Sequence, residues 1–173
     1  MCTTLCGARV WRATQQAVSV ASTRMIELRA VDIADLDAFY AQMSDPVASE
    51  LAAVPSRERS AFDAHWAKIM SNPGTTLATI VANGTVAGHL ICFGEAGARD
   101  VGYWIDRACW GRGYGSEALR LFLEQLPDRR LQATVAAHNP GSMRVLEKNG
   151  FTRVGEPVVE DDGVTVVRFE WVA

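Results

Sequence analysis

The stretch Trp110-Gly111-Arg112-Gly113-Tyr114-Gly115-Ser116-Glu117-Ala118 lies between an apolar run at residues 101–105 and a segment whose leucines recur at helical spacing. This order predicts a strand, a glycine-rich loop and an amphipathic helix. Glycines let the backbone turn tightly and approach a ligand, and the amides at the positive end of the following helix suit a phosphate or pyrophosphate. The stretch therefore predicts an anion-binding loop, to which Arg112 adds charge and Ser116 a hydroxyl or amide.

A glycine-rich loop of this kind has three other interpretations. A Walker loop is excluded because no Gly-Lys-Ser or Gly-Lys-Thr follows. The string Gly113-x-Gly115-x-x-Ala118 matches a dinucleotide fingerprint, but the next predicted strand, residues 131–137, does not end in an acidic residue for a ribose, and too little chain remains for a second half-fold. The third alternative is a glycine-rich turn that binds nothing.

The chain around the loop reads as a mixed sheet flanked by helices. Asn83 and Gly84 predict a tight hairpin turn inside an antiparallel meander over residues 76–105. The loop, helix and strand that follow favour a parallel pairing by crossover. Next comes a short helix over residues 140–148, with Asn139 as its N-cap. Closing strands are predicted at residues 151–154 and 165–172.

Upstream of the meander, the pattern predicts one strand and two helices. The strand covers residues 25–29, and the helices cover residues 33–43 and 57–70. The stretch between Pro46 and Pro55 is expected to be irregular.

The first 24 residues differ from the rest of the chain. They contain no Asp or Glu, which first occur at Glu27, and they carry scattered arginines. We interpret residues 1–24 as an N-terminal extension, with Met25 as an alternative start, and residues 25–173 as the catalytic domain.

Composition narrows the function classes. The chain has 173 residues and a formal net charge of -3, which fits a single domain and lacks the basic excess of a nucleic-acid binder. No apolar run approaches the roughly 20 residues of a membrane helix. The four cysteines form no CxxC pair and no metal-like grouping. We therefore predict no metal site, no membrane or nucleic-acid partner, reduced thiols and a cytoplasmic location.

Three ordered motifs carry a resemblance to a known family. They are Gly102-Tyr103-Trp104-Ile105, the loop stretch from Trp110 to Leu119, and Asn139-Pro140-Gly141-Ser142-Met143-Arg144-Val145-Leu146-Glu147-Lys148-Asn149-Gly150-Phe151. In this order they resemble the GNAT superfamily of acetyl-CoA-dependent N-acetyltransferases, and within it the RimJ/RimL-like branch. The resemblance implies an α/β fold with a six- to seven-stranded, mostly antiparallel sheet and a splayed central parallel pair.

The resemblance also implies a set of site residues. Acetyl-CoA is the implied cosubstrate, and a backbone amide near Ile105 would polarise its acetyl carbonyl. Leu146 stands where many members have a tyrosine acid, so Ser142, one turn earlier, is the implied general acid; alternatively it only satisfies backbone donors. The implied cofactor-binding residues are Trp104, Ile105, Asp106, Arg112, Gly113, Tyr114, Gly115, Ser116, Asn139 and Ser142.

Several points stay open at this stage. The general base is unknown, and its candidates are His89, Glu95, Asp100, His138 and Tyr103. Acceptor-groove candidates are Tyr40, His65, Trp66 and Trp104, all of which also suit a core. The acceptor is a primary amine, either a small molecule or a protein N-terminus, and a homodimer is considered.

Direct transfer in a ternary complex is the leading hypothesis for the reaction. A covalent route through Cys109 would require an acetylated enzyme, and nothing near Cys109 in the sequence resembles a Cys/His arrangement. A non-catalytic acyl-CoA sensor is the alternative from another functional class, because Leu146 replaces the tyrosine acid.

Overall fold

A computed structural model describes residues 26–95, 97 and 99–173, so the predicted extension at residues 1–24 lies outside the described residues. Within these residues the strands are Ile26–Arg29 (β1), Thr76–Ala82 (β2), Thr85–Phe93 (β3), Arg99–Ile105 (β4), Arg130–Ala136 (β5), Thr152–Val159 (β6) and Thr165–Val172 (β7). The α-helices are Leu36–Met43 (α1), Pro46–Ala52 (α2), Arg59–Ser71 (α3), Tyr114–Leu123 (α4) and Pro140–Lys148 (α5). Short 3-10 turns cover Ile33–Asp35 and Arg107–Cys109.

The seven strands form one sheet in the order β1-β2-β3-β4-β5-β7-β6. Every neighbouring pair is antiparallel except β4 and β5, which run parallel. The mixed, mostly antiparallel sheet predicted from the sequence is therefore confirmed.

The parallel pair separates after two residues. Arg99 pairs with Leu131 and Asp100 with Gln132, and beyond these positions the two strands are no longer paired. A wedge-shaped opening results between residues 101–105 of β4 and residues 133–136 of β5, which we name the β4–β5 gap. It is narrow at the start of the strands and open at their carboxyl ends.

An ion pair closes the narrow end of the gap. The Arg99 guanidinium donates to Asp128 Oδ2 at 2.9 Å and to the Cys92 carbonyl at 2.9 Å. Both charged side chains are about nine-tenths buried, with 11% and 10% exposure. Because Arg99 begins β4 and Asp128 precedes β5, this pair joins the two segments where their parallel pairing starts.

The hairpin between β2 and β3 forms at the predicted turn. Asn83 has φ +51° and Gly84 has φ +81°, which are the left-handed conformations that a two-residue turn of this kind requires. The prediction from the Asn-Gly pair is confirmed.

The expectation of an irregular stretch between Pro46 and Pro55 was wrong, because α2 begins there. The Asp45 side chain accepts a hydrogen bond from the Ala48 amide at 3.0 Å, and Pro46 occupies the first turn. Asp at the N-cap followed by Pro is a helix-start signal, since the missing N–H of proline has no intrahelical partner at that position anyway. The helix ends where Ala53 adopts φ +52°.

Helices cover both faces of the sheet. The helices α4 and α5 bury Leu119, Phe122 and Leu146 against one face, where the main core lies. On the other face, α1 and α3 enclose a smaller aromatic core of Phe39, Phe62 and Trp66. Ligands that enter the β4–β5 gap can therefore be reached from both layers.

Among the described residues there is no membrane-spanning helix and no cluster of metal ligands, and the edge strand β6 is exposed. None of their helices combines the length and apolar character needed to cross a membrane. No three or more of their His, Cys, Asp and Glu side chains are grouped to hold a metal ion. The edge strand β6 is exposed along its whole length, including Val154, Val158 and Val159. A homodimer stays a prediction.

Asp35 is the most firmly held carboxylate near the start of the sheet. Its oxygens accept from two Arg29 nitrogens at 2.6 Å each, from the Asp32 amide at 2.9 Å and from the Thr79 hydroxyl at 2.7 Å. Burial by itself would raise the pKa of Asp35, but these hydrogen bonds outweigh it and lower the pKa to about 2. The charged form therefore stabilises the fold.

We expect Asp35→Asn to lower the free energy of unfolding by about 2 kcal/mol at pH 7, allowing for the partial solvent exposure of Arg29. Since the folded-state pKa lies below the unfolded value of about 3.9, the contribution is complete above about pH 5. It is lost progressively as the pH falls from there through about 2, so the stabilities of the two proteins should approach each other toward pH 2. Urea unfolding between pH 7 and 2 measures this difference. Asp37→Asn, at a residue with an 81% exposed side chain, is the control, and an equal effect in both variants would contradict the prediction.

Candidate active site

The two edges of β4 point in different directions, and hydrogen bonding identifies which residues face the gap. The Asp106 amide donates to the Ala87 carbonyl at 2.8 Å. In an antiparallel pair, alternate residues direct both backbone groups to the same neighbour. Trp104 and Asp106 therefore face β3, whereas the backbone groups of Tyr103 and Ile105 face the β4–β5 gap.

The side chain of Trp104 also points away from a ligand in the gap. It is buried, and its indole N–H donates to the Gln42 carbonyl of α1 at 3.2 Å. Of the three consecutive residues that the resemblance assigns to the cofactor arm, Ile105 is the one whose backbone lines the gap. Its carbonyl accepts from the Trp110 indole at 2.9 Å, so its amide is the group directed at a ligand.

The glycine-rich loop forms a concave turn at the start of α4. Gly111 and Gly113 have φ +72° and +80°, conformations that a side chain disfavours. Gly113 is the N-cap, and within the described residues no side chain caps this helix, although Asp45 and Asn139 cap α2 and α5. An uncapped first turn with glycines around it offers its amides to an anion.

In the glycine-rich loop, the groups available to a bound anion are mainly backbone amides. Tyr114 is 5% exposed, and its hydroxyl accepts from Asn83 at 3.0 Å, so its side chain belongs to the core and only its amide can meet a ligand. A Cβ on Gly115 would lie 3.3 Å from Ile105 and 3.4 Å from Val145. Gly115 thus lets the first turn of α4 pack closely against the end of β4. The anion-binding loop and the open end of the gap are adjacent.

The helix α5 begins beside the same opening. Asn139 Oδ1 accepts from the Ser142 amide at 3.0 Å, which is the predicted N-cap. Farther along, Asn149 donates to the Ser116 carbonyl at 3.1 Å and links α5 to the first turn of α4. Leu146 is fully buried in the core, so the position of the family tyrosine supplies no polar group. Ser142 is partly buried and contacts Tyr103 across the gap.

The five candidate bases are spread over the fold. His89 lies among Phe39 and Trp66, at ring-centroid distances of 4.7 and 4.9 Å, and burial lowers its pKa to about 3. Burial raises the pKa of Tyr103, which keeps its phenol protonated at neutral pH. His89 is therefore a core residue, and Tyr103 acts as a hydrogen-bond donor and not as a base.

The remaining three candidates lie at opposite ends of the gap. Asp100 pairs with Gln132 at the narrow end, and Glu95 follows the end of β3 on that same side. His138 instead lies between β5 and α5 at the open end, where its Nε2 is 3.0 Å from the Glu50 carbonyl. Among the five, His138 is the exposed imidazole beside the opening.

The aromatic candidates for an acceptor groove occupy the α1 and α3 layer. Trp66 is 2% exposed and packs against Phe39, at 4.9 Å between ring centroids, so it is a core residue. Tyr40 is partly exposed, and its ring contacts Phe62 edge-on with 5.2 Å between the ring centroids. The Arg59 guanidinium lies over the Tyr40 ring, 5.2 Å from its centroid. His65 is also partly exposed on α3. This layer has an aromatic surface toward solvent and an aromatic core beneath it.

Cys109 is poorly suited to act as a nucleophile. It closes the 3-10 turn before the loop and packs against the main core. Burial and then the nearby Asp106 carboxylate raise the pKa of its thiol. Since the thiolate is the nucleophilic form, this environment disfavours a covalent route.

Sequence comparison identifies the domain that contains this site. Residues 25–152, nearly three quarters of the chain, match the family described as "Acetyltransferase (GNAT) domain". The chain belongs to the GNAT acetyltransferase family. The diverging β4–β5 pair and the glycine-rich start of α4 are thus parts of an acetyltransferase domain of the GNAT family.

Individual relatives agree with this assignment. "Probable N-acetyltransferase YjcK" of Bacillus subtilis is 41% identical over 76 residues, which cover 42% of this chain and 42% of the relative. The aligned part of the chain thus spans about two fifths of the length of this curated relative. Among solved GNAT structures, spermidine N-acetyltransferase of Vibrio cholerae in complex with CoA and spermine superposes with a TM-score of 0.75 at 16% identity, covering 85% of this chain and 95% of the other.

A second solved structure is RimL, described as ribosomal L7/L12 alpha-N-protein acetyltransferase in complex with coenzyme A. It superposes with a TM-score of 0.74 at 18% identity, covering 88% of this chain and 96% of the other. At these identities the likeness shows the fold alone. The GNAT prediction from the three motifs is confirmed, and the RimJ/RimL-like branch stays a prediction.

Two contacts of the site were not foreseen from the sequence. They are the hydrogen bond from the Trp110 indole to the Ile105 carbonyl and the contact of the Tyr103 hydroxyl with Ser142. Tyr103 and Ser142 are 39 positions apart, and only the register of β4 against the start of α5 brings them together. Local periodicity carries no signal for such a pair.

Proposed function

We propose that the protein transfers an acetyl group from acetyl-CoA to a primary amine by direct attack in a ternary complex. The observation that carries the proposal is the junction of two features: the β4–β5 gap, lined by the Ile105 amide, and the uncapped glycine-rich start of α4 at its open end. An extended ligand with a pyrophosphate at one end and a thioester at the other matches this arrangement.

In this proposal the loop binds the pyrophosphate and the gap binds the pantetheine arm. The amides of residues 112–116 surround the phosphate oxygens, with the positive end of the α4 dipole behind them. The arm lies along the gap edge of β4, and Asn139 borders it at the start of α5. Trp104 and Asp106 support this edge from the β3 side and do not contact the arm through their backbone.

The chain contributes to the reaction mainly through position and polarity. The Ile105 amide donates a hydrogen bond to the acetyl oxygen, which becomes negative as the amine attacks. Holding the amine and the thioester together removes the entropy cost of their encounter. When the carbon–sulfur bond breaks, the Ser142 hydroxyl provides a proton to the sulfur. The general base is not identified, and we propose His138, the exposed imidazole whose Nε2 lies 3.0 Å from the Glu50 carbonyl, as the first base to test.

The charge near the opening favours a cationic acceptor. Ala136 pairs with Val166, and the Ala137 amide donates to the Thr165 carbonyl at 2.8 Å, so the hairpin between β6 and β7 projects from the open end of the gap. Its tip carries the consecutive acids Glu160, Asp161 and Asp162, of which Glu160 pairs with Arg168 at 3.3 Å. Acidic groups raise the local concentration of a positively charged amine. This supports a polyamine or a protein N-terminus as the acceptor.

The proposal is tested by measuring CoA release from acetyl-CoA in the presence of spermidine, of a peptide with a free N-terminus and of the same peptide N-acetylated. We expect release with one or both free amines and none with the blocked peptide. The Cys109→Ser variant should retain the activity, because no acetyl-enzyme forms.

Two other outcomes would contradict the proposal. Binding of acetyl-CoA without release of CoA across the amines, in folded protein, would favour the acyl-CoA sensor. Affinity for NAD but not for acetyl-CoA in isothermal titration would exclude both interpretations.

A further inference from the structure

The short helix α2 is joined to the ends of both strands that border the β4–β5 gap. Its N-cap residue, Asp45, accepts from Arg107 Nε at 2.8 Å, and Arg107 follows the end of β4 by two residues. Toward the other end of α2, the Glu50 carbonyl lies 3.0 Å from Nε2 of His138, which follows the end of β5 by two residues. The helix therefore connects β4 to β5 at the open end of the gap, beyond the point where their pairing stops.

The connection is firmer on the β4 side than on the β5 side. Next to β4, the buried Trp104 indole donates to the Gln42 carbonyl just before α2, at 3.2 Å. The Gln42 side chain in turn donates to the Val86 carbonyl of β3 at 3.0 Å. On the other side, α2 packs against β5, and among the hydrogen bonds and ion pairs of the described residues the one from His138 is what joins them. Loss of this imidazole would leave α2 attached to β4 and released from β5.

The partner of His138 determines which ring nitrogen carries the proton. A carbonyl oxygen only accepts hydrogen bonds, so Nε2 is the donor and, in the neutral ring, Nδ1 is the unprotonated nitrogen. A glutamine at this position would place an amide N–H the same number of bonds from Cα as Nε2. Glutamine can thus keep the link to Glu50, although it cannot accept a proton near pH 7 as an imidazole does.

The separation of β4 and β5 at the open end depends on what connects them there. Their parallel pairing ends at Asp100 and Gln132, and no backbone ladder continues toward residues 105 and 136. The two anchor positions on α2, Asp45 and Glu50, lie about 7.5 Å apart along a helix axis, whereas paired strands lie about 4.8 Å apart. The helix is therefore long enough to reach over strands that have diverged.

We propose that α2 is a brace that holds the β4–β5 gap open for the pantetheine arm of CoA, and that His138 is the positioning residue that fastens this brace to β5. The inference rests on the proposed function, which places the arm in the gap and the phosphates at the glycine-rich loop. A gap whose edges are already held apart loses less conformational freedom when the arm enters. The brace therefore contributes to binding of the arm and not to binding of the nucleotide part of CoA.

A local contact that only stabilises α2 is the competing explanation. It predicts that loss of the His138 link lowers the free energy of unfolding and leaves ligand binding unchanged. Two ligands separate the explanations: CoA itself, and adenosine 3′-phosphate 5′-diphosphate, which is CoA without the pantetheine arm. Neither measurement needs an acceptor amine, so a role of His138 as a base does not enter the result.

The experiment titrates both ligands calorimetrically into wild type, His138→Ala and His138→Gln. We expect His138→Ala to weaken CoA binding about 5-fold, the effect of one hydrogen bond, and to leave the affinity for adenosine 3′-phosphate 5′-diphosphate unchanged. His138→Gln should restore the wild-type affinity for CoA. Urea unfolding checks that each variant is folded. His138→Leu, which keeps a bulky side chain without an N–H, carries the same expectation if His138→Ala does not fold.

The outcomes distinguish this inference from the proposed function. If wild type binds CoA but His138→Ala binds it equally well, or if both ligands are weakened by the same factor, the brace is overturned and the transferase proposal stands. Failure of His138→Gln to restore CoA binding would also overturn it, because the link to Glu50 needs only an N–H. If wild type does not bind CoA, both proposals fall together.

Discussion

Gly113→Trp is expected to weaken acetyl-CoA binding at least about 100-fold and to abolish acetyl transfer. Gly113 is the N-cap of α4 with φ +80°, and an indole at this position would occupy the space that we propose for the pyrophosphate. Losing one or two hydrogen bonds to a charged group, at about 1.5 to 3 kcal/mol each, corresponds to this factor. Isothermal titration with acetyl-CoA and CoA measures it directly.

A side chain at a positive φ strains the backbone, and a control variant must separate this effect from loss of the anion-binding loop. Gly155 also has a positive φ, of +71°, and a Cβ there would meet nothing within 4 Å. It lies in the exposed edge strand β6, away from α4, so Gly155→Trp has a similar backbone strain and leaves the loop intact. We expect near wild-type affinity in this control. Wild-type affinity in Gly113→Trp itself would mean that the loop is a turn without a ligand.

The local parts of this fold could be predicted from the sequence because their signals are local. The Asn83-Gly84 pair requires positive φ angles and thereby marks a hairpin. Asn139 before Pro140 marks a helix start, and its side chain caps α5 as expected. The same rule would have found α2 from Asp45 and Pro46, the start of the stretch that is expected from the sequence to be irregular.

The shape of the candidate site could be predicted only in part, because it depends on pairings between distant segments. The glycines of the loop indicated an anion site, but not that Tyr114 turns its ring into the core toward Asn83. The two-residue β4–β5 pairing begins beside the Arg99–Asp128 ion pair, which joins residues that no periodicity relates. The family resemblance predicted that β4 and β5 splay apart, and the structure identifies the residues at which they are joined.

We expect Gly88→Ala to be the most destabilising single-methyl substitution in the sheet, lowering the free energy of unfolding by about 3 kcal/mol or more. Gly88 lies in β3 at φ +150°, opposite Ile105 in the register with β4. A Cβ at this position would lie 1.9 Å from the Trp104 carbonyl oxygen. Backbone atoms cannot rotate away as a side chain can, so β3 and β4 would have to move apart.

The effect of Gly88→Ala should extend to the cofactor, because β4 is the strand whose other edge lines the gap. The Trp104 carbonyl and the Ile105 amide belong to one planar peptide group, so displacing the carbonyl also moves the amide proposed to polarise the acetyl group. Any fraction that folds should therefore bind acetyl-CoA more weakly. Gly102→Ala on β4 is the matched control, since its Cβ would meet only a methyl group of Ile91 at 3.3 Å, and it should cost at most about 1 kcal/mol. Equal urea midpoints for the two variants would show that β3 and β4 separate freely, and the rigid gap edge on which the proposed transfer depends would then be untenable.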